Sequence, residues 1–107
     1  MITDEQAEAA VSWLRDNADA AAKAKAERIY MEQWIKTVKA KATAASNAKT
    51  ATERETEALL SVEYKAGLQA YREAVEADER HRFMREAASA KIEAWRTLCS
   101  NLRGMGR

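Results

Sequence analysis

The chain has no proline, only three glycines and a single cysteine among its 107 residues. Without proline nothing forces a helix to break, and no glycine stands between Met1 and Ala66. The lone thiol, Cys99, excludes an intrachain disulfide and is ordinary in a reducing cytosol. No long uncharged apolar run exists, so a transmembrane span is not expected. Neither charge dominates: 18 Lys+Arg meet 17 Asp+Glu, for a net charge of +1. That balance argues against a protein held to nucleic acid by bulk electrostatics. Bulky apolar side chains are also scarce. Hydrophobic residues make up 47%, but 24 of them are alanine.

What remains is rich in Ala, Glu, Lys, Arg, Leu and Gln, the strongest helix formers. Caps therefore set the expected boundaries. Thr3 with Gln6 has capping-box spacing, and Asp4 and Glu5 place negative charge in a first turn. From there one helix is predicted over about 4–45. Val11, Leu14, Ile29, Met31, Ile35 and Val38 supply its apolar stripe at spacings dominated by three and four. Ser46–Thr50 is the predicted break, since Ser, Asn and Thr compete for backbone hydrogen bonds. Two overlapping boxes follow, Thr50 with Glu53 and Thr52 with Glu55, and a short helix is predicted over about 53–60. Ser61 is a further N-cap, opening a last helix over about 62–103 that stops at Gly104.

The expected fold is all-α, a single helical domain over 1–107. It is a long antiparallel helical hairpin with a short connecting helix. A hairpin buries one stripe per helix and leaves its flanks wet. With no disulfide or metal to staple it, association is the remaining route to a core. The chain is therefore expected to pair with itself as a dimeric four-helix bundle, or as a higher oligomer. Trp34, Ile35, Val38, Tyr71, Val75 and Trp95 are the candidate interface residues, because Trp and Arg are favoured at interfaces. If Ala45 lies near Val62, Trp13 falls beside Ala94 and Trp95, and Arg28 lies close to Asp78 and Glu79. That match brings two polar stretches together as an alignment layer, or leaves both as solvated faces.

Chemistry-bearing constellations are thin. Asp78-x-x-His81 is half of a di-iron helical motif, but the chain has one histidine. Cys99 lies on an apolar rhythm with Trp95, Leu98 and Leu102, which suits a buried inert thiol. Gly-rich phosphate loops and serine nucleophile elbows are missing. The reading assigns no catalytic residue, no metal and no cofactor. Charge placement is more informative. Lys36, Lys39, Lys41 and Lys49 have no acid among them, and Arg96, Arg103 and Arg107 follow the last acid, Glu93. A basic hairpin tip suits phosphates or an acidic protein surface. The opening Met1-Ile2-Thr3-Asp4-Glu5 lacks a positive region followed by an apolar stretch, so a cytoplasmic location is expected.

The run Thr52-Glu53-Arg54-Glu55, then Tyr64, Trp95-Arg96-Thr97 and Asn101-Leu102-Arg103, resembles a group of small helical proteins encoded by tailed phages and prophages. Many of these sit among early genes for replication and recombination. The resemblance implies phage origin and a place in the host-cell cytoplasm, and it carries over no catalytic residue. The expected role is thus a non-enzymatic interaction protein that binds a host or phage protein, in DNA recombination or replication or in host takeover. The alternative is a nucleic-acid-binding accessory protein using the basic tip.

Overall fold

A computed structural model describes residues 1–106. The described residues form four helices and no strand: α1 (Asp4–Asp16), α2 (Ala18–Ala45), α3 (Ala51–Leu60) and α4 (Val62–Met105). The chain divides into two compact units, Met1–Ala22 with the segment from Glu79 onward, and Lys23–Asp78.

In the first unit, Thr3 caps α1 as its sequence spacing predicts. Its hydroxyl accepts from the Gln6 N–H at 3.1 Å, and the Gln6 side-chain oxygen accepts from the Thr3 N–H at 2.9 Å. The predicted continuous helix over 4–45 is, however, interrupted at Asn17, which separates α1 from α2. The cause is local competition for a carbonyl. Asn17 donates both its backbone N–H (3.0 Å) and its side-chain Nδ2 (2.9 Å) to the carbonyl of Trp13. Its own carbonyl then accepts from Ala21 at 2.9 Å, which restarts the ladder.

Ala7, Ala10 and Ala21 are buried in this unit, and so is Ala88 of α4. Ile92 and Trp95 are half-buried. The Trp95 indole N–H donates to Asp4 Oδ1 at 2.7 Å. That contact sets the antiparallel register and corrects the expected neighbours of Trp13. Nine residues forward from Asp4 are matched by about nine back from Trp95, since both helices rise 1.5 Å per residue. Trp13 accordingly lines a groove with Met84 and Ala87 rather than meeting Ala94 and Trp95.

In the second unit, Met31 and Val38 of α2 and Gly67 and Ala74 of α4 are buried, with Ile35, Tyr64 and Tyr71 half-buried. Arg28 Nη1 meets Asp78 Oδ2 at 3.2 Å, as the sequence alignment of the two stretches predicts. Positions 28, 31, 35 and 38 pack against 67, 71, 74 and 78 with alternating steps of three and four. That 3.5-residue period is the pattern of an antiparallel coiled-coil seam. In the first unit, 7, 10, 14, 17 and 21 follow the same steps, so Asn17 breaks the helix without shifting its phase.

Two members of the expected stripe fall off this seam. Val11 is 50% exposed and Ile29 51% exposed. Each follows a seam position, Ala10 or Arg28, by one residue, which turns its side chain about 100° away from the seam.

The α2–α3 turn falls where Ser46–Thr50 predicts it, but α3 begins two residues earlier than expected. Thr50, with extended backbone, wins over Thr52 as N-cap, its side chain accepting from the Glu53 N–H at 3.1 Å. Ser61 caps α4 as predicted. Its hydroxyl accepts from the Tyr64 N–H at 3.2 Å and donates to the Ala58 carbonyl at 2.7 Å. Ala58, at 1% exposed, anchors α3. At its far end α4 runs through Gly104 to Met105. No described glycine has positive φ, so Gly104 continues the helix instead of ending it.

Gly67 is the one glycine whose substitution tests the seam. A Cβ there meets Ile35 Cγ1 at 3.7 Å, an ordinary contact. Gly67→Ala should therefore stabilise the protein by up to about 1 kcal/mol through helix propensity. Denaturant unfolding checks this, and destabilisation would show that the seam has no room for a methyl group. At Arg28–Asp78, a double-mutant cycle to alanine should give a coupling of about 1 kcal/mol, because the pair is only partly exposed. Purely additive losses would place the pair among solvated, non-contributing charges.

Candidate interaction grooves

Two grooves flank the second unit, and they differ in chemistry. The first, of about 690 Å³, has Trp34 and Val38 on the α2 side and Ala66, Gly67 and Ala70 on the α4 side. Trp34 is 38% exposed, and Tyr30, one turn before it, is 60% exposed. Their rings stack with centroids 6.5 Å apart and 8° between planes. Lys41 Nζ lies 5.6 Å from the Trp34 ring centroid, within cation–π range. The spacings explain the cluster: Tyr30 and Trp34 are four residues apart and Lys41 seven further on, all on one helix face. The rim carries Lys41 on one wall and Glu57 and Glu63 on the other. Glu57 accepts a hydrogen bond from the Ser46 hydroxyl.

The second groove, of about 520 Å³, collects Lys36, Lys39 and Arg54 with the single carboxylate Glu55. Thr43 and Ser46 also line it. Thr43 donates its hydroxyl to the Lys39 carbonyl at 2.8 Å, and Arg54 Nε donates to the Ala48 carbonyl at 2.8 Å.

The basic tip is thus not one patch. Lys36 and Lys39 share the second groove, Lys41 belongs to the first, and Lys49 is exposed in the turn and lines neither. Helical geometry separates them, since residues 39 and 41 point to nearly opposite sides of α2. Helix α3 then adds Glu55 to one groove and Glu57 to the other. Counting α2 and the turn alone hides these acids, which arrive only when α3 folds back.

The expected interface residues divide as well. Trp34 is exposed in the first groove. Val38 is buried and Ile35 half-buried in the seam within the chain, and Val38 also lines the first groove. Tyr71 and Val75 are half-buried on α4, and Trp95 is half-buried with its indole N–H bonded to Asp4. Tyr30 was not among the expected residues, although its spacing from Trp34 carries the signal.

Elsewhere, Cys99 is half-buried rather than buried, in a surface groove with Trp95, Leu102 and Arg103. Leu102 is 57% exposed. The Asp78 carboxylate is engaged by Arg28. Among the described residues no group of three or more His, Cys, Asp and Glu is placed to hold a metal ion, and no helix is long and apolar enough to cross a membrane. Comparison with protein families, curated proteins and solved structures finds no match to this chain.

Lys36→Glu with Lys39→Glu should change unfolding free energy by less than about 0.5 kcal/mol, because both groups lie outside the seam. Thermal and urea unfolding test this. A loss of several kcal/mol would mean that the second groove is a structural contact.

Proposed function

We propose that this is a non-enzymatic, phage-encoded interaction protein of the host-cell cytoplasm that acts as a homodimeric helical bundle and binds a host or phage protein. The observation that carries the reading is the exposed, stacked Tyr30–Trp34 pair beside a groove walled by small residues. Aromatic side chains at a concave apolar surface are the usual anchors of protein interfaces. A second support is the thinness of the core. None of the large side chains is fully buried among the described residues, so a great deal of apolar surface stays available for association. A role beside replication and recombination proteins, or in host takeover, comes from the sequence resemblance.

Sedimentation velocity tests the self-association. The wild-type chain should sediment at twice 12.0 kDa at micromolar concentration. Ile35→Asp should lose helicity and association together, since it sets a carboxylate in the seam beside Gly67 and folding is linked to pairing. A soluble, fully helical 12.0 kDa form of that variant would contradict the linkage.

A second reading, nucleic-acid binding, is favoured by one observation: Lys36, Lys39 and Arg54 line one groove with a single carboxylate. Anisotropy titration of single- and double-stranded DNA at two salt concentrations separates the two. Salt-dependent binding lost in Lys36→Glu/Lys39→Glu supports it, and no binding at low salt removes it.

A further inference from the structure

We infer that the Trp34 groove is the surface through which two copies of this chain pair, face to face about a two-fold axis. The inference rests on the self-association reading and adds where the copies meet.

The argument is self-complementarity. A two-fold interface brings one patch against itself, so the patch must contain both halves of every contact it makes. This groove does so in shape. Its α2 wall carries a bulky ridge in Trp34, extended beyond the groove by the stacked Tyr30, and its α4 wall is small, with Ala66 and Ala70. A rotated copy sets its ridge against the small wall of the first, and receives the first copy's ridge in return. It does so in charge as well. Lys41 stands on the α2 rim and Glu63 on the α4 rim, so the same rotation brings Lys41 of each copy to Glu63 of the other. A surface with a large excess of one sign would repel its own copy, as the second groove, with three cations and one carboxylate, would do, whereas the first sets Lys41 against Glu57 and Glu63. A foreign helix needs only one of these features, a ridge or a hollow, one charge or the other.

Two charge reversals test this on the full chain. Lys41 and Glu63 are both exposed, so Lys41→Glu and Glu63→Lys should each retain the wild-type helical circular dichroism at concentrations high enough to keep the variant paired, and lose it together with pairing on dilution. Alone, each variant opposes like charges twice in the dimer and should dissociate at least about tenfold more readily by sedimentation velocity. Mixed in equal amounts, the two restore both opposite-charge pairs, and a mixed dimer should return with wild-type affinity. Trp34→Ala, with no charge change, should weaken pairing by about tenfold or more. A wild-type dimer whose affinity none of the three variants alters places the interface elsewhere and overturns this inference while leaving self-association intact. Weakened single variants that fail to recover on mixing overturn the two-fold pairing. A monomeric wild type removes both this inference and the reading beneath it.

Discussion

A core with few large side chains in it governs the structure. The buried positions are almost all alanine or glycine, with Met31 and Val38 the exceptions. A methyl group lets two backbones come near, but each seam layer then removes little apolar area from water, at roughly 25 cal/mol per Å². Bulk is displaced to the flanks as a consequence. Tyr30, Trp34, Leu68 and Phe83 are all exposed, and the Arg82 guanidinium lies over the Phe83 ring, 4.9 Å from its centroid. One choice of residue size therefore makes the seam thin and the surface aromatic.

Polar contacts add to the register that the apolar seam supplies. Arg28 with Asp78 in one unit and Asp4 with Trp95 in the other distinguish one alignment from its neighbours. Removing Arg28 leaves the half-buried Asp78 carboxylate without this counter-ion, whatever the pair contributes to net stability.

Helix identity and most boundaries were legible because they depend on neighbours in sequence. Thr3 with Gln6, the Ser46–Thr50 turn and Ser61 each act within four residues, and all three form as read. The Arg28–Asp78 contact was also legible, since two polar stretches coincide in one alignment. The differences have separate causes. Asn17 was overlooked because its effect is side-chain competition for the Trp13 carbonyl, which composition does not register. Val11 and Ile29 fall outside the buried stripe because each follows a seam position by one residue, a phase that apolar character alone does not reveal. The four lysines looked like one patch because Glu55 and Glu57 reach that end only through the fold of α3. At the aromatic groove, Trp34 and the four-residue spacing of Tyr30 are legible in the sequence of α2, whereas the hollow of Ala66 and Ala70 opposite them belongs to tertiary structure.

The functional account depends on a hairpin seam too thin to stand without a second copy. Thermal unfolding across a hundredfold range of protein concentration addresses that directly, because a chain that folds only when paired melts at a temperature set partly by mass action. The account predicts a midpoint that climbs steadily with concentration, with loss of helix and loss of the dimer coinciding. A cooperative transition with a midpoint independent of concentration would contradict it.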